Sequence, residues 1–82
     1  MSIFVVSDLR RWFAQNGFPK VAVRMHRLEP MVFHVYLPRR LQKWDYDFLV
    51  AQLNESVCIG FDVRVHCGFV RWLWYGYVEG GF

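Results

Sequence analysis

Three histidines and eight arginines are the side chains of this chain that could perform acid–base chemistry or bind an anion. The segment Val23-Arg24-Met25-His26 recurs forty residues later as Val63-Arg64-Val65-His66, so each copy carries an arginine two positions before a histidine. Imidazole exchanges protons near neutral pH, and guanidinium binds phosphate oxygens in pairs. A metal-free cleavage of a phosphodiester needs such groups, and a ribonuclease-type toxin is therefore one hypothesis.

No motif of the sequence strengthens the enzyme hypothesis. There is no nucleophile elbow, no glycine-rich phosphate loop and no pair of carboxylates placed for catalysis on a helix. Asp45 and Asp47 are explained by the attraction of carboxylates to the positive end of a helix. Cys58, Cys67 and the histidines have no spacing typical of zinc sites. We therefore predict no catalytic residue, no metal, no cofactor and no small-molecule substrate.

The composition favours a domain that binds a macromolecule. Sixteen of the 82 side chains are Phe, Trp or Tyr, and a domain of this size has a core too thin to bury all of them. Aromatic side chains that remain at the surface usually mark a contact site. Eight of the ten basic residues are Arg, the cation that is enriched at protein interfaces. The net charge of +3 is too small to require a nucleic-acid partner.

We expect one domain over residues 1–82, located in the cytoplasm and not attached to a membrane. The sequence has no linker, no low-complexity segment and no apolar run that approaches the roughly 20 residues of a membrane helix. The first six residues lack the basic segment of a signal peptide. Two cysteines are too few for a disulfide framework, and a reducing compartment is the simpler expectation.

Hydrophobic periodicity predicts the elements that must hold these side chains. Residues 3–6 predict a short buried strand, and Ser7 is predicted to be a helix N-cap. The helix that follows is predicted to end at Gly17 and to bury one apolar stripe, formed by Leu9, Trp12 and Phe13. A second helix is predicted to begin near residue 39 or near residue 45 and to meet the sheet with Phe48, Leu49 and Leu53.

Two alternating runs, residues 20–26 and 32–37, predict the first hairpin. Aligning their apolar positions gives three inner pairs, Val21–Leu37, Val23–Val35 and Met25–Phe33. On the outer face, the same alignment gives two pairs, Arg24–His34 and Ala22–Tyr36. The outer face of this hairpin is therefore predicted to be basic and aromatic.

A second hairpin is predicted over residues 61–78, with its turn at Gly68, a residue type that adopts a positive φ without strain. Its register places Arg64 opposite Arg71 on the outer face. Directly opposed like charges are unfavourable in a sheet unless an anion lies between them. The pair therefore predicts a site for a negatively charged partner. Residues 79–82 are expected to form a frayed end.

These elements predict an α+β fold with a small antiparallel sheet of four to five strands and two helices packed on one face. The order β-α-β-β-α-β-β is compatible with a split β-α-β, ferredoxin-like sheet with an added strand. The repeated Val-Arg-X-His segment is also compatible with a duplicated α-β-β unit. Both arrangements leave the second face of the sheet open.

The open face is predicted to bind the partner, and its binding residues are Arg24, His34, Tyr36, Arg64, His66, Arg71, Tyr75 and Tyr77. Arg and Tyr are frequent anchors at protein interfaces. The leading hypothesis is a non-enzymatic domain that binds an acidic protein surface or a second copy of itself. By analogy, a small phage or mobile-element inhibitor of a host protein would have this form. The alternative is single-stranded RNA or DNA, with Tyr stacked on bases and Arg on phosphates.

Overall fold

The computed structural model describes residues 3, 5–26 and 28–82. In chain order its elements are α1 (Val6–Gln15), β1 (Ala22–His26), β2 (Glu29–Leu37), α2 (Lys43–Ser56), β3 (Asp62–Cys67) and α3 (Phe69–Leu73). Helix α3 continues directly into a π-helical segment, Trp74–Val78, and residues 69–78 are referred to below as the C-terminal helix. The predicted α+β class is confirmed.

Strand β2 lies at the centre of a mixed sheet, with β1 antiparallel on one side and β3 parallel on the other. The predicted register of β1 and β2 is confirmed at four pairs, Ala22–Tyr36, Val23–Val35, Arg24–His34 and Met25–Phe33. The prediction of four to five antiparallel strands is wrong, since the sheet of the described residues has three strands. A parallel neighbour requires a long crossover between the two strands, and α2 provides it.

The hydrophobic core lies between one face of the sheet and the helices α1 and α2. The side chains of β2 alternate between the two faces, so that Phe33 and Val35 are buried in the core while His34 lies on the second face. The helices and β3 complete this core with Leu9, Phe13, Leu49, Leu53, Val63 and Val65. The predicted stripe of α1 is thereby confirmed, with Trp12 partly buried at its edge.

Helix α1 ends where the sequence predicts, but it begins at a different residue. Asn16 is the C-cap, and Gly17 follows with a φ of 92°, the left-handed conformation that favours glycine. The helix begins at Val6, and the N-cap residue Val5 provides no side-chain cap. The predicted N-cap Ser7 therefore lies inside the first turn, because Val6 already packs against the core from a helical position.

Of the predicted strand over residues 3–6, the structure shows one isolated parallel bridge, between Ile3 and Val57. Ile3 is fully buried and donates its N–H to the carbonyl of Ser56 at 2.7 Å. Phe4 lies outside the described residues. The bridge ties this segment to the end of α2.

Helix α2 begins at Lys43, between the two starting points expected from the sequence. Leu49 and Leu53 are buried as predicted, whereas Phe48 is 63% exposed and its predicted core position is wrong. Leu49 and Leu53 are four positions apart and define the buried face, which turns their neighbour Phe48 toward solvent. None of the helices in the described parts of the chain is long and apolar enough to cross a lipid bilayer.

The predicted second hairpin is wrong, because residues 69–78 form the C-terminal helix. Gly68 has the predicted positive φ, 146°, but it joins β3 to this helix. Arg64 therefore lies beside His34 in the sheet, and Arg71 lies on the helix, so the two arginines form no cross-strand pair. For the described residues the predicted order, and with it the duplicated α-β-β unit, is corrected to α-β-β-α-β-α.

The last residues of the chain are packed, which corrects the predicted frayed end. The carbonyl of Gly81 accepts hydrogen bonds from the N–H of Val23 and from the guanidinium of Arg10. The ring of Phe82 lies against Gly76 of the C-terminal helix. These contacts cover the outer edge of β1 and hold the C-terminal helix on the second face of the sheet.

The two cysteines are free thiols. Burial raises the pKa of the Cys67 thiol, and the nearby backbone of Leu41 and charge of Arg40 act in the opposite direction. Cys67 packs partly buried against the core, as predicted for its inward-facing position. A neutral thiol in this environment behaves as a small apolar side chain.

We expect Gly76→Ala to destabilise the domain, because a methyl group at this position would overlap the Phe82 ring. Overpacking of this kind costs about 1–3 kcal/mol, which urea denaturation followed by circular dichroism measures. In a Phe82→Ala background the ring is absent, and the same substitution should be neutral or stabilising because Ala favours helix. Equal losses in both backgrounds would show that Phe82 does not pack on Gly76.

Candidate interaction surfaces

The second face of the sheet brings together six of the eight predicted binding residues: Arg24, His34, Tyr36, Arg64, His66 and Tyr75. The register places Arg24 of β1, His34 of β2 and Arg64 of β3 side by side across the three strands. This set of three is referred to below as the basic row. Tyr36 and His66 are neighbours two positions further along the strands, beneath the C-terminal helix.

Four rings on this face form a continuous stack that joins the sheet to the C-terminal helix. The ring centroids are 4.1 Å apart for Tyr75 and Tyr36, 4.8 Å for Tyr36 and His66, and 5.3 Å for His66 and His34. Burial, and then the neighbouring Tyr75, raise the pKa of Tyr36. Tyr36 is only 5% exposed, which corrects its predicted exposure. Its ring is occupied by these neighbours and is not free to stack on a nucleobase.

His34 and His66 form a hydrogen-bonded pair, with 3.0 Å between Nδ1 of His34 and Nε2 of His66. Burial lowers the pKa of both imidazoles. At His34, Glu29 opposes this change and Arg64 adds to it; at His66, the neighbouring His34 and then Arg71 lower the pKa further. The fold therefore favours neutral rings, and in a neutral pair one ring donates its N–H to the other.

The histidine pair differs from the acid–base pair considered from the sequence, which combined His26 with His66. His26 lies on β1 and His66 on β3, with β2 between them. The Nδ1 atom of His26 accepts a hydrogen bond from the N–H of Leu28. No cluster of three or more His, Cys, Asp or Glu side chains able to hold a metal ion occurs within residues 3, 5–26 and 28–82.

The guanidinium groups of the basic row are weakly neutralised. Arg64 forms an ion pair of 3.5 Å with Asp62, and both side chains are more than half exposed, so the pair contributes little to stability. Arg24 lies over the Tyr75 ring, 5.2 Å from its centroid, in a cation–π contact. The row therefore keeps a positive potential that an anionic group could approach.

A second surface, which was not predicted from the sequence, lies on the outer side of the C-terminal helix. It consists of five apolar side chains at i, i+3, i+4, i+7 and i+8: Val70, Leu73, Trp74, Tyr77 and Val78. They line one shallow groove of about 400 Å³, and among residues 3, 5–26 and 28–82 no charged side chain contributes to its lining. Their exposed fractions range from 38% at Leu73 to 79% at Val70. This set is referred to below as the apolar stripe.

Arg71 and Tyr77, the other two predicted binding residues, belong like Tyr75 to the C-terminal helix and not, as predicted, to a strand; of the three, Tyr75 stacks on the sheet. Tyr77 is 65% exposed, and the Lys20 ammonium lies 5.4 Å from its ring centroid. Arg71 is exposed beside the apolar stripe. The helical spacing of the stripe was the signal in the sequence that could have revealed this surface.

Helix α2 also exposes two aromatic side chains, Trp44 at 70% and Phe48 at 63%. They are four positions apart on α2 and form a patch of two side chains, and small groups of exposed apolar side chains are common on monomeric proteins. Five adjacent apolar side chains on one short helix are much less common. The apolar stripe is therefore the stronger candidate for a docking surface.

We expect the domain to lose stability as the pH falls from about 7.5 to about 5.5. Because the pKa values of His34 and His66 are lowered by folding, the unfolded chain binds more protons below about pH 6.5, the ordinary value. The stabilisation is fully present above that pH and declines below it. Urea denaturation at several pH values measures the slope. The slope should be flatter in His34→Gln/His66→Gln, and an unchanged slope would contradict this role of the pair.

Comparison with known proteins places no further constraint on these surfaces. No protein-family model matches the chain, and neither a curated protein nor a solved structure matches it. The function is therefore inferred from the geometry of the chain itself, which offers the basic row on the sheet and the apolar stripe on the C-terminal helix.

Proposed function

We propose that this chain is a small, non-enzymatic protein-interaction domain that binds its partner with the apolar stripe of the C-terminal helix. The observation that carries the proposal is the exposure of five adjacent apolar side chains on one helix face, uninterrupted by charge. Apolar area of this kind is unfavourable in water. On folded proteins, patches of this kind usually mark sites that a partner covers.

The composition of the apolar stripe suits the centre of an interface. Aromatic residues are enriched there and charged residues are depleted. Trp74 and Tyr77, 53% and 65% exposed, are of the types whose truncation most often costs 2 kcal/mol or more of binding energy. Arg71 lies at the rim, where charge contributes to orientation and association rate more than to affinity.

The C-terminal helix is already fixed in place before a partner binds. Trp72 donates its indole N–H to the carbonyl of Lys20 at 3.0 Å, and Tyr75 stacks on Tyr36. A surface that is ordered in advance loses little conformational entropy on binding. We therefore propose that the partner receives an intact helix, in a groove or against a helix of its own.

We further propose that the domain acts in a reducing compartment such as the cytoplasm, where its two free thiols are stable. An inhibitor of a host protein, the form considered from the sequence, would use the apolar stripe in the same way. The basic row beside the helix suits a partner whose rim is acidic, because complementary charge steers the encounter.

A photocrosslinking side chain at position 77 tests this proposal, and one at position 48 is the matched control. Tyr77 and Phe48 are aromatic residues on helices with nearly equal exposure, 65% and 63%. We expect a protein adduct at position 77 only. Excess unlabelled parent chain or Trp44→Glu should displace the labelled chain from any other protein, and should itself enter the adduct where the partner is a second copy. Trp74→Glu should do either at least about tenfold less well, because it places a charge at the centre of the stripe.

Circular dichroism melts establish that both Glu variants remain folded. The proposal fails if excess unlabelled parent chain neither reduces the adduct at position 77 nor enters it, or if Trp74→Glu and Trp44→Glu behave equally in this experiment. An adduct that disappears after nuclease treatment would also contradict it, since the partner would then be a nucleic acid.

Single-stranded nucleic acid is the second candidate partner, favoured by the basic row on the sheet. The stack that occupies Tyr36 removes the expected platform for bases, so phosphate contacts alone would have to supply the affinity. Binding of that type weakens steeply between about 50 and 200 mM salt through counterion release.

We expect no saturable binding of a fluorescent single-stranded RNA oligonucleotide at physiological salt, and we expect the RNA to remain intact. Fluorescence anisotropy and gel electrophoresis measure the two outcomes. Salt-sensitive binding that Arg24→Gln/Arg64→Gln abolishes and Trp74→Glu preserves would favour the nucleic-acid candidate. Cleavage of the RNA that His34→Gln abolishes would contradict the non-enzymatic assignment.

A further inference from the structure

We infer that the partner of the apolar stripe is a second copy of this chain, bound helix against helix in an antiparallel, two-fold symmetric dimer. The inference rests on the proposed function, because it names the occupant of the same surface. In a two-fold interface the same patch is present on both sides, so the patch must be complementary to itself.

The order of residues along the apolar stripe has this property. Trp74 lies at the centre, with Val70 four positions before it and Val78 four positions after it. When two such helices pack antiparallel about Trp74, Val70 of each copy faces the partner's Val78. The two indole rings meet near the axis, where an aromatic pair contributes more than its buried area alone.

The charges beside the stripe are arranged for the same pairing. Arg71 lies in the first turn of the C-terminal helix and Glu79 is its C-cap residue, and both are exposed. They are eight positions apart, which is about two turns of a helix whose second half is π-helical, so they lie on one flank at opposite ends. A two-fold axis perpendicular to both helices makes them antiparallel and leaves this flank on the same side of the dimer in both copies. Arg71 of each copy therefore comes beside the partner's Glu79, and the symmetry produces this ion pair twice.

The alternative packings lack this complementarity. Parallel helices would place Arg71 beside the partner's Arg71, and like charges at a contact are unfavourable. The net charge of +3 on each copy opposes association, but charges outside the contact are screened beyond about 8 Å at physiological salt. A contact made by one short helix is smaller than a standard interface, so we expect a dissociation constant on the order of micromolar.

Sedimentation velocity of the purified full chain over a range of concentrations tests the inference. We expect a reversible monomer–dimer equilibrium for the parent chain and for Trp44→Glu. Trp74→Glu should be monomeric throughout. If that variant does not fold, Val78→Asp takes its place, because Val78 is 62% exposed and lies at the end of the stripe. A dimer that persists in the folded stripe variant would overturn the inference.

Exchange of the two charges gives the sharper test. Arg71→Glu and Glu79→Arg each replace two attractive contacts by two repulsive ones, and each should weaken the dimer on the order of fivefold or more. The double variant Arg71→Glu/Glu79→Arg rebuilds both ion pairs with exchanged signs and should recover the dissociation constant of the parent. A partner of different sequence gives no reason for this recovery.

A chain that remains monomeric at every concentration, or a double variant no tighter than the single ones, overturns the inference. Its failure is distinguishable from failure of the proposed function. A monomeric chain that still forms a Trp74-dependent adduct at position 77 keeps the stripe as a docking surface for another protein. A monomeric chain without such an adduct overturns both.

Discussion

The stacking of Tyr75 on Tyr36 determines which surfaces of this domain remain exposed to solvent. The two rings lie 4.1 Å apart and are nearly parallel, and their contact attaches the C-terminal helix to the second face of the sheet. As one consequence Tyr36 is buried, and the polar part of that face is reduced to the basic row and the neighbouring histidine pair. As a second consequence, the side of the helix that faces away from the sheet presents the apolar stripe to solvent.

Local pattern was sufficient for the register of β1 with β2 and for the buried stripe and C-terminal end of α1. Aligning Val23 with Val35 placed Arg24 opposite His34, and the structure has this register, because slipping a strand by one residue would turn all its apolar side chains away from the core. The buried stripe of α1 and its end at Gly17 were likewise predictable, since helical spacing and a left-handed glycine are both local properties.

The fold of the second half of the chain depends on which strand pairs with β3. Local sequence pattern carries no information about this choice. Val63 and Val65 face the core whether β3 pairs with a following strand or, in parallel, with β2, so alternation alone does not distinguish the two. Residues 69–78 are apolar at nearly every position and fit a helix or a strand. The opposed Arg64–Arg71 pair was itself an argument against the hairpin, because like charges in register destabilise a sheet. The contacts that select the helix, Tyr75 on Tyr36 among them, are tertiary.

The charged side chains of the basic row and the apolar side chains of the stripe lie on different surfaces, and the two surfaces differ in the cost of covering them with a partner. In the basic row, Arg24 is in contact with the Tyr75 ring and Arg64 with Asp62, so a partner that covered the row would have to displace these contacts and remove water from charged groups. Covering Trp74 and its neighbours on the apolar stripe removes water mainly from apolar surface, which is favourable and requires few hydrogen bonds to be replaced. We therefore propose that the stripe supplies the affinity of a complex, while the basic row acts through its field on partners that approach beside it.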